Sequence, residues 1–293
     1  MTPHNAAFAP GLLSGRSLIV TGGGSGLGLA MAKAFASYGA SVTISGRRSD
    51  RLDAAVPEIA SAARDGGAAA AFPADVREPA ACEKLVADAA QRFGKVDGLV
   101  NNAAGNFLAL ADKLTPNGFD SVVRTVLYGS VHCTLALGRH LLARKAPGVI
   151  VSIAASYVWS GSAYVLPSAC AKAGVLAMTR SLAVEWGHAG IRLNAIAPGP
   201  IPTEGAFSRL LADDRAKANA VGRIPLGRFG DPAEIANLAT FLLSDLCPYQ
   251  TGDCVTMDGG EWLAGAGEFS DYRRLGREAL EKAFETVRRE TKT

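Results

Sequence analysis

Short apolar runs alternate with amphipathic stretches along most of the chain. Ser17-Leu18-Ile19-Val20-Thr21 carries no polar alternate between its apolar positions, the pattern of a strand buried on both faces. Further strands are predicted at Ser41 to Ser45, Ala68 to Pro73, Val96 to Asn101, Gly148 to Ile153, Ile191 to Ile196 and Cys254 to Met257. Between these runs the period changes to that of a helix. Leu27, Ala30, Met31, Ala34, Phe35 and Tyr38 recur at helical spacing and Gly39 stops them. Cys82, Leu85, Val86, Ala89, Ala90 and Phe93 form a second such face. Further helices are predicted over Asp50 to Arg64, about Pro116 to Arg144, Ser168 to Gly187 behind Pro167, and Asp231 to Ser244. The segment from Gly205 to Gly222 is irregular, and the charged tail from Glu268 reads as a solvated helix.

This alternation predicts an α/β fold: a single-domain, doubly wound (Rossmann) parallel sheet with helices on both faces. No internal repeat or low-complexity linker divides the chain, so one domain covers 1–293, with a core of about 15–262 and a tail over 263–293. At 293 residues and 48% hydrophobic content it buries a substantial core. The uncharged run from Ala146 to Ala171 is long enough to raise a transmembrane reading, but Pro147, Gly148, Gly161 and Pro167 interrupt it and serines dilute it. No membrane partner is expected. Net charge is +3, from 30 basic and 27 acidic residues, too balanced to point to nucleic acid. Five scattered cysteines and four scattered histidines show no metal-ligand spacing and suit reduced thiols. With no signal-like leader before Gly15, a cytoplasmic location is the expectation.

The first strand runs straight into Gly22-Gly23-Gly24-Ser25-Gly26-Leu27-Gly28 and then a helix. Strand, glycine turn and helix N-terminus together make a phosphate cradle: backbone N–H groups face the pyrophosphate and glycine lets the backbone approach it. A glycine-rich turn alone would be an ordinary flexible loop; its position between strand and helix makes it a dinucleotide site. The second strand ends in Gly46-Arg47-Arg48, where an NAD-binding fold usually carries an acidic residue for the ribose 2′-hydroxyl. Arg47 suits a 2′-phosphate instead, so NADP(H) is the expected cofactor. Asp75, with Val76, follows the third strand and is placed to meet the adenine. Asn102 and Ala103 follow the fourth strand at its carboxyl end, where ligands bind in such sheets.

Thr21-Gly22-x-x-x-Gly26-x-Gly28, Asn101-Asn102-Ala103, Lys172 and Pro198-Gly199 together resemble the short-chain dehydrogenase/reductase family over essentially the whole chain. Most members carry a Tyr four residues before the lysine and a Ser thirteen residues before that Tyr. Here those positions hold Ser168 and Ala155, and the helix Asn of most members is replaced by Tyr128. One branch resembles the chain more fully. Asn102-Ala103-Ala104-Gly105-Asn106-Phe107, Pro167 to Lys172, Pro198-Gly199-Pro200-Ile201, Gly205 to Leu210 and Gly267-Glu268-Phe269 are similar to the mitochondrial type of 2,4-dienoyl-CoA reductase. That branch places its catalytic Tyr fifteen residues before the lysine, where this chain has Tyr157. On spacing alone Tyr157, Tyr164 and Tyr128 are equal rivals.

The resemblance implies an NADPH-dependent reductase of 2,4-dienoyl-CoA thioesters, yielding a 3-enoyl-CoA, in a cytoplasmic bacterial relative that assembles as a homotetramer. Hydride addition to the conjugated system collects charge on the thioester oxygen, and the site must stabilise that oxyanion. Tyr157 and Asn106 are the candidate donors, Lys172 the residue for the nicotinamide ribose, and Ser168 a supporting hydrogen bond. Asn106 after Gly105 equally suits a turn. Cofactor contacts are expected from Gly22, Gly24, Ser25, Gly26, Leu27, Gly28, Arg47, Asp75, Val76, Asn102, Ala103, Lys172, Pro198, Gly199 and Ile201. Acyl-CoA contacts are implied for Arg77, Phe107, Thr115 and Arg209, arginines being suited to CoA phosphates. Two alternatives stay open: a 2-enoyl-CoA or other acyl-thioester or carbonyl reductase, and an NADP-binding scaffold without catalysis.

Overall fold

The computed structural model describes residues 7–203 and 214–290, with side chains to residue 286. Seven strands form one parallel sheet in the order β3-β2-β1-β4-β5-β6-β7. They are β1 (Ser17–Thr21), β2 (Ser41–Ser45), β3 (Ala68–Ala71), β4 (Gly98–Asn101), β5 (Gly148–Ile153), β6 (Ile191–Pro198) and β7 (Cys254–Met257). The helices among the described residues are α1 (Gly26–Ser37), α2 (Ser49–Ala62), α3 (Pro79–Phe93), α4 (Pro116–Val123), α5 (Gly129–Arg144), α6 (Leu166–Trp186), α7 (Asp214–Arg223), α8 (Pro232–Leu243), α9 (Glu261–Ala266) and α10 (Arg277–Glu290).

The central strands β1, β4 and β5 are buried at every position because both sheet faces are covered. Leu18 and Val20 join Val42, Val100, Val149 and Val151 in a core closed by Met31 and Phe35 of α1 and Leu242 of α8. Ile19, between them, points to the other face with Leu99, Ile150 and Leu193, under Leu85 of α3 and Leu137 of α5. Alternate positions thus serve two cores, the arrangement parallel sheets require. No described helix is long and apolar enough to cross a membrane.

Element boundaries shift by a few residues from those expected, with one change of kind. The helix predicted over Pro116 to Arg144 is interrupted by a π-helical turn at Arg124–Tyr128, between α4 and α5. One extra residue per turn leaves no periodicity signature in so short a stretch, and π turns are frequent at functional sites. The tail is two pieces, a 3₁₀ turn at Ser270–Arg274 and α10, joined by an aromatic cluster of Phe269, Tyr272 and Phe284.

The strand order reverses between β1 and β4, whose flanking connections leave in opposite directions. Parallel register aligns the strand ends: Thr21 faces Ser45, Val20 faces Val100 and Asn101 faces Ser152. The loops that leave these ends therefore open on one edge, the usual ligand edge of such sheets.

Candidate active site

A cleft of about 450 Å³ lies at that reversal. Its floor is the turn Gly22 to Ser25, and its walls are Ser45 to Arg48 after β2, Ala74 to Val76 after β3, and Asn102 to Ala104 after β4. Thr125, in the π turn, closes one side. The turn fits a phosphate. Gly22 has φ +67°, and a Cβ there would come within 2.9 Å of Asn102 Nδ2. Ser25, at the N-cap of α1, makes no side-chain capping bond, so its hydroxyl leaves the leading amides of the helix available to an anion.

Thr21 and Asn102 hold this turn to β4. The Thr21 hydroxyl accepts from the amides of Asn102 and Ala103, each at 3.0 Å, and donates to Val100 O. The Asn102 amide donates to the Thr21 and Gly22 carbonyls at 2.9 and 3.3 Å. Asn102 thus lines the cleft while its side chain fastens one strand end to the next.

Three cations, Arg47, Arg48 and Arg51, line the β2 wall. Sequence reasoning found the first two and passed over Arg51, one helical turn further on. Asp75 is the acidic residue lining the cleft, and it is paired with Arg77. Arg77 Nε lies 3.0 Å from both carboxylate oxygens and Nη2 lies 2.5 Å from one. The guanidinium's hydrogen bonds hold the Asp75 carboxyl below its ordinary range. Arg77, expected at the acyl-CoA, is therefore engaged beside the cofactor cleft.

Beyond the cleft, β5 ends at Ile153 and the chain makes a 3₁₀ turn at Ser156–Val158 that carries Tyr157. Ala155 enters the turn in an extended conformation, and Tyr157 O accepts from Gly161 N at 2.9 Å. The α6 helix brings Ser168 and Lys172 round to the same buried side, four residues apart. Tyr157 Oη lies 2.8 Å from Ser168 Oγ. Lys172 Nζ donates to the Ile153 carbonyl, closing α6 on the end of β5. Burial raises the Tyr157 phenol above its ordinary pKa, partly offset by the Ser168 hydrogen bond. Burial also lowers Lys172 to about 8.

The rival tyrosines stand elsewhere. Tyr128 is 50% exposed at the end of the π turn, beside His132, and Tyr164 is 60% exposed. Tyr164 has φ +67°, and its carbonyl accepts from Ala109 N at 2.9 Å, joining the loops after β4 and β5. Asn106 is exposed and its Oδ1 accepts from Phe107 N at 2.9 Å, the local turn role its neighbour Gly105 suggested. No hydrogen bond links Asn106 to Tyr157 or Ser168 among the described residues. Thr115 caps α4 through Gly118 N at 3.1 Å, and Phe107 packs near the same turn. Arg209 lies outside the described residues. The loop Pro198 to Ile201 follows β6, with Gly199 N donating to Met257 O. No group of three or more potential metal ligands occurs among the described residues.

The geometry matches known proteins along most of its length. The family profile described as enoyl-(acyl carrier protein) reductase matches residues 22–261. A Bacillus subtilis protein named probable 2,4-dienoyl-CoA reductase [(2E)-enoyl-CoA-producing] is 49% identical over 85% of this chain and 97% of its own length. A Caenorhabditis elegans protein named probable 2,4-dienoyl-CoA reductase 3 [(3E)-enoyl-CoA-producing] is 41% identical over 86% of this chain and 82% of its own. The NADP-bound crystal structure of a putative 2-deoxy-d-gluconate 3-dehydrogenase from Agrobacterium tumefaciens superposes with a TM-score of 0.77. It shares 36% identity, covering 88% of this chain and 100% of that one. A profile match over most of the chain, with relatives at 41% and 49% identity over most of both lengths, makes the relationship one of family and not of fold alone: this chain is a nicotinamide-dependent oxidoreductase belonging to the short-chain dehydrogenase/reductase family.

Proposed function

We propose that the protein reduces 2,4-dienoyl-CoA thioesters with NADPH. The observation that carries this reading is the 2.8 Å hydrogen bond between Tyr157 and Ser168, one helical turn from buried Lys172. Ser168 and Ala155 occupy the positions of the family's usual Tyr and Ser, so an acid for simple ketone reduction is missing from its usual place. The phenol comes instead from the loop after β5. That relocation supports a catalyst over an empty scaffold, and the names of the two reductase relatives support the substrate class.

NADPH, when bound, supplies a hydride. The protein's residues supply the rest. Arg47, Arg48 and Arg51 favour a cofactor carrying a 2′-phosphate, and the turn Gly22 to Gly28 receives the pyrophosphate. Hydride reaching the δ-carbon of the dienoyl group sends an electron pair to the thioester oxygen. Tyr157 donates to that oxygen. To do so it must accept from Ser168, so the serine hydroxyl points its proton at the phenol and stabilises the charge drawn toward it. Lys172 holds the nicotinamide ribose and adds positive charge. The exposed Asn106 is proposed as a second donor, through rotation of its amide toward the bound thioester.

A proton then completes the reaction on carbon. The α-carbon of a dienolate bears the most charge and takes a proton fastest, leaving a 3-enoyl-CoA; protonation at the γ-carbon would leave a 2-enoyl-CoA. Tyr157, tied to the oxygen side, supports the first outcome, with water as the proton source. Thr115, Phe107, Arg77 and Arg209 remain proposed acyl-CoA contacts, Arg77 by exchanging Asp75 for a phosphate. Self-association as a homotetramer is supported by the outward face of α6, where Cys170, Ala173, Ala177 and Val184 are exposed. Free thiols at all five cysteines suit the cytoplasm.

The test is turnover. The purified protein, NADPH and a 2,4-dienoyl-CoA should lose nicotinamide and dienoyl absorbance one for one, with the product identified chromatographically. Faster oxidation of NADPH by 2-enoyl-CoAs or ketones, or none by any dienoyl-CoA, would overturn the reading.

A further inference from the structure

Two residues beyond Tyr157, the loop carries an aromatic side chain that the mechanism above does not use. Trp159 packs against Trp262 with ring centroids 5.2 Å apart and planes tilted by 45°. Each ring is fixed to a different part of the site. Trp159 leaves the same 3₁₀ turn as Tyr157. Trp262, in α9, is held by buried Asp258, whose two carboxylate oxygens accept from Gly260 N and Trp262 N, each at 2.8 Å. Asp258 in turn lies against the Pro198 to Ile201 loop: a Cβ on Gly199 would come within 2.7 Å of Asp258 Cα and Cβ. The pair therefore spans the gap between the tyrosine loop and the loop after β6.

The contact does not bury the pair. Trp159 remains 37% exposed, and Leu166 and Leu263, from α6 and α9, are also exposed. The polar end of an acyl-CoA asks for cations and hydrogen-bond donors; its distal hydrocarbon asks for apolar surface. An open indole two residues from the phenol that meets the thioester oxygen offers that surface. We infer that Trp159, backed by Trp262, is a specificity-determining residue that receives the distal part of the substrate's acyl chain. The inference rests on the acyl-thioester reading of the site.

The experiment measures kcat/KM for 2,4-hexadienoyl-, octadienoyl- and decadienoyl-CoA with wild type, Trp159→Ala, Trp159→Phe and Trp262→Ala. Each methylene buried against the pair should raise kcat/KM about fourfold. Wild type should therefore favour the decadienoyl over the hexadienoyl substrate by about tenfold or more, from two or more such methylenes. Trp159→Ala should cut that ratio to within about threefold, Trp159→Phe should keep most of it, and Trp262→Ala should fall between. An equal loss at every length would make Trp159 a support for the Tyr157 loop and overturn the inference, as would an unchanged ratio. Equilibrium binding of hexanoyl-, octanoyl- and decanoyl-CoA to the NADP-loaded protein separates the two claims. A chain-length slope that Trp159→Ala removes, without any dienoyl turnover, sinks the proposed reaction and keeps the acyl surface. Turnover without a slope does the reverse, and absence of both sinks both.

Discussion

Tyr157 and Ser168 stand eleven positions apart in the sequence and 2.8 Å apart at their hydroxyls. The loop after β5 and the first turn of α6 together build one donor from two residues. Ser168 is 2% exposed, so its hydroxyl is shielded from water and has the Tyr157 phenol as its partner. An alkyl hydroxyl is far less acidic than a phenol, which supports the proposed division of labour, with Tyr157 meeting the substrate and Ser168 positioning it.

Tyr157→Phe should leave folding and NADPH binding intact while lowering dienoyl-CoA turnover by about 10² to 10³, the usual effect of losing one oxyanion donor. Ser168→Ala should cost about tenfold, the worth of one neutral hydrogen bond. If the serine acts through the tyrosine, as proposed, the double variant should be no slower than Tyr157→Phe alone. Additive losses in steady-state kinetics would show that Ser168 meets the substrate independently. Tyr164→Phe is the control and should change the rate little, its hydroxyl lying on a 60% exposed ring.

The sheet was legible because short, mostly apolar runs alternate with helical periods, and all seven strands and the glycine turn lie within a few residues of where these patterns place them. Contacts that depend on side-chain direction were not. The spacing that brings Ser168 and Lys172 to one face of α6 can be read from a helix, but the loop that swings Tyr157 onto Ser168 has no period. Arg77 illustrates the same limit: two residues from Asp75, its side chain folds back on that carboxylate, and nothing in the composition distinguishes this from a reach toward CoA. The Trp159 and Trp262 rings lie over a hundred positions apart, and their contact follows from the way α9 returns past β6 and β7 to the tyrosine loop.

Cofactor choice should depend on the β2 wall. Arg47 lines the cleft where an NAD-binding chain carries an acid, and Arg48 and Arg51 flank it. Arg47→Asp removes a charge-assisted phosphate contact and adds repulsion, so the NADPH to NADH ratio of kcat/KM should fall by about 10- to 100-fold or more. A wild-type protein that used both cofactors equally, or a variant with an unchanged ratio, would disprove this assignment.

Gly28 tests the cradle without touching charge. A Cβ at this position would overlap the Gly22 carbonyl oxygen and approach Asn102 Nδ2 to 2.6 Å, two groups already joined by a hydrogen bond. Neither is the end of a flexible side chain, so the turn itself must move. Gly28→Ala should destabilise the fold by about 1 to 3 kcal/mol, the usual cost of overpacking. It should also weaken NADPH binding by more than tenfold, measurable by fluorescence titration of the still-folded fraction. Unchanged binding would mean that the turn does not set the phosphate position.

Lys172 predicts the response to pH. Burial lowers its pKa from 10.5 to about 8, while burial raises that of Tyr157. Turnover should therefore be level below about pH 8 and fall above it, as the ammonium loses its proton and the thioester oxygen loses a nearby positive charge. The limb belongs to the lysine, so it should persist in the residual activity of Tyr157→Phe; its disappearance there would assign it to the phenol. The same shift has a sign in stability. Below pH 8 the folded and unfolded chains both carry the proton, and the burial penalty is constant. Between about pH 8 and 10.5 the unfolded chain keeps a proton that the folded chain has released, so this group's contribution to stability rises with pH. Thermal unfolding of the cofactor-free protein should show the gap between Lys172→Met and wild type shifting in favour of wild type across that window. A gap that stayed constant would mean that the ammonium is solvated in the folded chain and is not the buried charge facing Ile153.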